Sequence, residues 1–593
     1  MRLQAPLSVR YEYDAFTLEP DSPTLAFARD QLDAYLARIF TGGDPDRQQQ
    51  LTVRFTNLSA AELCFDGYAI EVNASAVTIA STLERGFLYG VYELLRIIGC
   101  RFLFPDAELE QIPHLTEFQL EERTIVKKPW MEYRGMCLYD TSRNTFERTR
   151  DTIDWMAKNN YNLLLTSIDR PDDSVDGAHS ILWNEIANEL LPELRKRGIA
   201  IDMSEHSTDY FFPRDHWFEL HPEWFSLFDG KREPLKLCYS NEDAVREYAN
   251  SFVQFVQQDD YYQFIGTWPL DGGGYCQCEG CRDSQAILRA NAYIADEIAK
   301  VRPDLIVEHL AYTPQSFDRP QGDLPRNMSV LVCNVNDQVA YEWGMKAKHA
   351  GGAFYFDYHT GDHYCFRSNL WINPDYIREM VNTFAAYDYR GIVSLYLPIT
   401  SWWVASLNYA YLSRLYYEPT ASIEELTSEL SADLFGSRNR DLTTAILMLV
   451  QGQLQDSTLW SGTPHKHVYY CEHITGRNRE LDRLHAERFA STMSDIESKF
   501  NRIDLTDASP FEHMQLECLR EYVRLQDLYF RCVDQYDADV DSPTKAEPYF
   551  QALRDAESRL VQAFITERYA RWRIVGRDNI FVPNNVNQYQ PQT

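Results

Sequence analysis

Residues 264–282, FIGTWPLDGGGYCQCEGCR, decide how the chain is read. A short apolar run from Phe264 to Gly266 meets Trp268 and Pro269. Asp271 follows at once, then three glycines and the tight cluster Cys276, Cys278, Cys281. An apolar run of this length, closed off by proline and glycine, is a buried strand that stops abruptly. The glycines let the backbone turn freely, so the acid is left in a loop at the strand's C-terminal end. In a barrel of alternating strands and helices, that end carries the reacting groups.

Outward from this stretch the same rhythm repeats. Strand candidates are MEYRGMCLYD (131–140), YNLLLTSI (161–168), GIAIDMSEH (198–206), YQFIGTWPLD (262–271), DLIVEHLAY (304–312), SVLVCNVND (329–337), GAFYFDYH (352–359) and GIVSLYLP (391–398). Helical stretches separate most of them, at 148–158, 186–197, 283–300 and 376–387. Eight such units over about 290 residues match the size of a (β/α)8 TIM barrel. A doubly wound open sheet fits less well, because no phosphate-type glycine fingerprint appears.

Residues 1–125 read as a separate small α/β domain. SPTLAFARDQLDAYLARIF (22–40) is a capped helix, LTVRFTN (51–57) a strand, and DGYAIEVNASAVTIAS (66–81) two strands around a turn at Asn73. RGFLYGVYELLRIIGCRFLFPD (85–106) reads as a helix ended by Gly99, then a strand. The barrel is expected over 126–420 and a helical domain over 421–593. Capping boxes at Ser422 and Ser509 open helices of that last domain, and Asp541–Ala563 is expected to form another.

At 593 residues the chain exceeds what one core can organise. A net charge of −31 repels phosphate backbones and anionic lipid, which argues against nucleic acid and membrane partners. The amino-terminal residues MRLQAPLSVRYEYDAF show no basic-then-apolar leader, and twelve scattered cysteines point to free thiols, so a cytoplasmic location is expected. A homo-oligomer is compatible with this composition.

The polar residues at the eight strand ends are the candidate site. Several carboxylates converging on one mouth, with aromatic rings around them, is what hydrolysis of a glycosidic bond requires: one carboxyl protonates the leaving oxygen, and a second attacks or activates water. Asp271 is the first choice, since glycine rather than a helix follows it. Asp357 is the second, with Asp140 and Asp337 as rivals. A strand-end aspartate can equally cap the next helix. Glu308 falls mid-strand, deep in the expected barrel. Trp268, Tyr312, Tyr358 and His359 are candidates for substrate contact. His206 is a hydrogen-bonded structural residue or a sugar ligand. Trp402 and Trp403 are a cover over the core or a stacking platform. Cys276, Cys278 and Cys281 are three thiols without a fourth ligand nearby. The reading therefore weighs a packed thiol cluster against a structural zinc, and expects no metal and no cofactor.

The segments EHSTDYFFP, HPEWFSLFDGKREPLKLCYSN, DGGGYCQCEGCR and HLAYTP resemble the former domain of unknown function 4838, which includes glycoside hydrolase family 163. DGYAIEV and ERGFLYGVYELLRIIGCRFLFP resemble the small domain preceding the barrel in family 20 β-hexosaminidases and family 67 α-glucuronidases. The resemblance covers roughly residues 60–435. It implies an oligosaccharide or glycoconjugate substrate, the acid at Asp271, and a sugar-binding role for Arg134 in YRG, against a salt bridge at the barrel bottom. The hexosaminidases carry an Asp–Glu pair where this chain has Leu270-Asp271-Gly272, and SLYLPITSWW lacks the glutamate expected at the eighth strand. The resemblance thus leaves open an exo-acting enzyme for another sugar (uronic or sialic acid), a catalytically silent carbohydrate-binding protein, or a zinc-dependent hydrolase.

Overall fold

The computed structural model describes residues 1–14, 17–42, 48–138, 146–168, 183–204, 206, 208–270, 272–283, 285–312, 322–333, 337–357, 372–396, 402–455, 479–538 and 555. The chain divides into two compact units. The first is Met1–Asp357 with Asn382–Ser394, and the second is Tyr358–Val381 with Leu395–Thr593.

Eight parallel strands, all but the last two residues of the eighth within the first unit, close into a barrel: Tyr133–Leu138, Leu163–Thr166, Ala200–Met203, Phe264–Gly266, Ile306–Ala311, Met328–Cys333, Ala353–Asp357 and Gly391–Tyr396. Seven lie within the stretches expected from the sequence, and the sixth begins one residue earlier, at Met328. Their near-continuous apolar runs are buried on both faces, as a helix-covered parallel sheet demands. Each strand lies beside its sequence neighbour, and the eighth returns to the first, where Tyr133 N–H donates to the Arg390 carbonyl at 2.9 Å. Gly266 on the fourth strand is needed for close packing. A Cβ there would stand 2.5 Å from Ser204 Oγ and 2.8 Å from its Cα.

Ahead of the barrel stands a five-stranded sheet in the order Leu7–Asp14, Gln49–Asn57, Val77–Ser81, Tyr68–Val72, Arg123–Lys127. Helices Pro23–Ile39 and Glu84–Ile98 pack on it. Ser22 caps the first, and the second buries Phe87, Leu88, Val91, Leu94, Leu95 and Ile98. The strand expected after Gly99 does not form. Arg101 makes one isolated bridge to Gln111, and the Phe102 carbonyl accepts instead from Trp155 Nε1 and Asn159 Nδ2, both at 3.0 Å, so it has no ladder to join.

Between the third and fourth barrel strands lies an insertion that the sequence reading left unassigned. It holds a hairpin, Phe225–Phe228 with Lys231–Leu237, followed by helix Glu242–Val256. Asp229 and Gly230 both adopt positive φ, 48° and 79°, in the two-residue turn. This Asp-Gly pair is the signal that could have revealed the hairpin.

The second unit is helical, with Trp402–Leu415, Ile423–Phe435, Arg440–Gln455, Arg479–Phe500 and Pro510–Ala538 among its described elements. At Ser509 the capping box is reciprocal: Glu512 N–H donates to Ser509 Oγ at 3.2 Å, and Ser509 N–H to Glu512 Oε2 at 2.7 Å. The helix expected over Asp541–Ala563 lies outside the described residues, save Asp555.

Candidate functional site

The fourth barrel strand ends at Gly266, and Thr267 to Leu270 continue without regular structure. Asp271 itself lies outside the described residues, and the chain resumes at Gly272. Gly272 and Gly274 have φ of 75° and 87°, which glycine alone adopts without strain. No helix starts until the 3-10 turn Glu279–Cys281. The inserted hairpin holds this loop on both sides. Lys236 Nζ donates to the Leu270 carbonyl, Ser226 Oγ to the Gly274 carbonyl at 2.7 Å, and Gln277 N–H to the Leu227 carbonyl at 2.7 Å. Lys236 also sits 4.3 Å from the centre of the Tyr275 ring.

Beneath the loop, the barrel interior holds a buried polar group. Trp268 is 3% exposed, and its indole N–H donates to Glu308 Oε1 at 3.1 Å. Glu308 and Asp202 are both buried, and Ser204 Oγ donates to Asp202 Oδ1. Burial, and after it the charge of Asp202, pushes the Glu308 carboxyl well above the usual carboxylate range. Sequence reasoning set Glu308 aside as too deep. The structure confirms its depth and adds the second carboxyl beside it. Trp268 belongs to this interior rather than to an open wall. His206, half-buried, packs edge-on against Trp268 at 5.5 Å. Its Nδ1 lies at the Pro269 carbonyl, which can only accept, so Nδ1 carries the proton and Nε2 remains for other partners.

Asp357 closes the seventh strand in register with Ser394 and has no solvent exposure. Asp337 is exposed and opens helix Asp337–Ala347, the helix-end position that the sequence reading set against catalysis. Tyr312, half-buried, directly follows the fifth strand. Asp140, Tyr358, His359 and the Trp402 side chain lie outside the described residues.

Two expected sugar contacts are corrected. Arg134 lies near the start of the first strand, at the bottom of the barrel, and is fully buried. Its guanidinium donates to Asp66 Oδ2 at 2.7 Å, the Asn160 carbonyl at 2.6 Å and the Met131 carbonyl at 2.9 Å. Arg85 and Asn162 donate to the same Asp66 oxygen, at 2.7 and 2.8 Å. Burial raises the Asp66 carboxyl, but Arg134 and Arg85 outweigh it and hold it below the ordinary carboxylate range. Arg134 thus fastens the small domain to the barrel, the salt-bridge alternative. Trp403 is buried within the helical unit. Its indole N–H donates to Gln515 Oε1 at 2.6 Å, and its ring stacks on Tyr522 with centres 5.3 Å apart. No face of it is left for a sugar ring.

The thiol cluster gains a fourth member that the spacing in the sequence did not reveal. Cys238, just past the hairpin, lies 3.6 Å from Cys276 and 3.7 Å from both Cys278 and Cys281, sulfur to sulfur. Ser240 Oγ lies 3.2 Å from the sulfurs of Cys278 and Cys281.

Residues 104–439, more than half of the chain, match the profile of a domain of unknown function, DUF4838. The chain belongs to this family. No curated protein matches it in sequence. Among solved structures, this DUF4838 chain resembles a family GH115 4-O-methyl-α-glucuronidase with specificity for decorated arabinogalactans. The TM-score is 0.66 at 10% identity, over 97% of this chain and 78% of that one. A GH138 enzyme targeting pectin rhamnogalacturonan II matches with TM-score 0.55 at 12% identity, over 94% of this chain and 74% of that one. The N-acetyl-β-hexosaminidase of Streptomyces plicatus matches with TM-score 0.51 at 14% identity, over 76% and 92%. At these identities the likeness establishes the fold.

Proposed function

We propose that the protein is a glycoside hydrolase that cleaves an oligosaccharide, with Asp271 as the general acid and Asp357 as its partner carboxylate. One observation carries the reading. The backbone on either side of Asp271, at Leu270 and Gly274, is held by Lys236 and Ser226, and no helix follows that an aspartate there could cap. An acid carried by a loop held on both sides, after the end of a barrel strand, suits proton donation to a leaving oxygen. The folds shared with glucuronidase, pectin-degrading and hexosaminidase enzymes support the substrate class. Uronic acid-containing and N-acetylhexosamine-containing oligosaccharides are accordingly the first substrates to screen. A carboxyl separation of ~5 Å would give retention and ~6.5–9.5 Å inversion, which NMR of the first-formed anomer reads directly.

Replacing Asp271 by Asn should lower kcat/KM on an unactivated glycoside about 10²–10⁴-fold with the fold intact. Undiminished turnover in that variant refutes the assignment. A second reading, a catalytically silent sugar-binding protein, is favoured by the complete burial of Asp357. Binding of a glycan without turnover across a panel of aryl glycosides would select it.

A further inference from the structure

Cys238, Cys276, Cys278 and Cys281 come from two separated stretches, the residue after the hairpin and the loop after the fourth barrel strand. Their four sulfurs all lie within 4.8 Å of one another. The three distances from Cys238 are 3.6, 3.7 and 3.7 Å. A disulfide needs about 2.05 Å. A tetrahedron of thiolates around zinc, with bonds of about 2.3 Å, has edges of about 3.8 Å.

The surroundings aim hydrogen-bond donors at the sulfurs. Leu227 N–H donates to Cys276 Sγ at 3.2 Å, and the backbone N–H groups of Cys278 and Cys281 donate to Cys276 and Cys278. The Ser240 hydroxyl stands 3.2 Å from two sulfurs, and Arg232 Nη1 stands 3.9 Å from Cys276. Neutral thiols are weak acceptors and would not repay this many donors. Four thiolates around a divalent ion leave a net charge of −2, which N–H donors and one guanidinium offset. A 3-10 turn, Glu279–Cys281, brings Cys278 and Cys281 round to the same point.

We propose that these four cysteines hold one structural zinc ion, which staples the glycine-rich loop after the fourth barrel strand to the inserted hairpin. Four protein thiolates fill the tetrahedron, so the ion has no open position for water and is not a hydrolytic centre. Its work is conformational. The loop from Gly272 to Cys278 has no ladder of its own, and the glycines make it costly to order. The zinc closes its far end, as Lys236 closes the near end at Leu270.

The test is independent of any glycosidase activity. The full chain, expressed with added zinc and purified without oxygen or chelator, should carry about one zinc per chain, and X-ray absorption should show four sulfur neighbours at about 2.3 Å. Cys238→Ser should reduce zinc occupancy at least tenfold, while Cys64→Ser, at an exposed cysteine elsewhere, should leave it unchanged. Ser240→Ala should weaken zinc affinity about 10–100-fold. Should Cys238→Ser fail to fold, titrating the wild-type thiols with an organomercurial decides the matter, because zinc should leave in step with thiol modification. A zinc-free chain under these conditions, iron in place of zinc, or zinc bound through fewer than four sulfurs overturns the proposal.

Discussion

Asp66 offers the most direct test of how the small domain is fastened to the barrel. Three donors, from Arg85, Arg134 and Asn162, converge on its Oδ2, while Oδ1 has no hydrogen-bond partner. Asp66→Asn can keep an oxygen at the first position and place its amide at the second. Hydrogen bonding then survives in number, and the loss is the counter-charge of the buried Arg134 and half-buried Arg85 guanidinium groups. Removing one partner of a buried pair costs about 3–5 kcal/mol, and the retained acceptor sets this variant near about 3. With an unfolding entropy of ~2.1 cal/mol/K per residue over the roughly 370 residues of the first unit, that is a fall in Tm of about 4 °C. Asp66→Ala, which also removes the acceptor, should lie at the upper end. The pH dependence is a second constraint. The folded carboxyl titrates below its unfolded value. Its contribution is therefore complete above about pH 3.9 and is lost as pH falls through the folded value. The gap between wild type and variant should hence be flat from about pH 5 to 8. Thermal unfolding followed by circular dichroism measures both. A Tm shift under about 1 °C, or a gap that changes across that pH range, refutes the account. So does an Arg134→Met variant that keeps its Tm and loses only substrate affinity.

Further expectations concern the interior groups. The folded Glu308 carboxyl titrates above its unfolded value of about 4.3, so its contribution turns increasingly unfavourable as pH rises above that value. Glu308→Gln, which keeps an acceptor for Trp268 and needs no proton, should therefore gain stability relative to wild type between pH 5 and 8, by up to about 1.4 kcal/mol per pH unit. Denaturant titrations at the two pH values that show the opposite slope would sink this assignment. Trp403→Phe should cost about 1–3 kcal/mol in the helical unit, because Gln515 loses its buried donor. Glycan affinity should not change, and a selective loss of affinity measured by calorimetry would restore Trp403 as a sugar platform.

The eight barrel strands could be read directly because each is an apolar run long enough to cross a buried parallel sheet, closed by polar or glycine residues. Caps at Ser22, Ser422 and Ser509 were equally legible, since the hydroxyl that accepts the orphan N–H lies within one turn of it. The site was harder. A strand-end position says that Arg134, Trp268 and Asp357 are near the barrel, but not what they touch. Arg134 meets Asp66 across 68 residues, and Trp268 meets Glu308 across 40.

What the amino-acid sequence determines alone is local: which segments bury both faces, where helices begin, and where glycine frees the chain beside Asp271. Those outcomes depend on periodicity and on contacts within a turn or two. Only the tertiary structure decided that Cys238 completes the thiol set, that Glu308 shares its burial with Asp202, and that Arg134 belongs to a domain junction. Each depends on how far burial and a partner from a distant segment shift a side chain's chemistry, and that is settled only when the barrel closes.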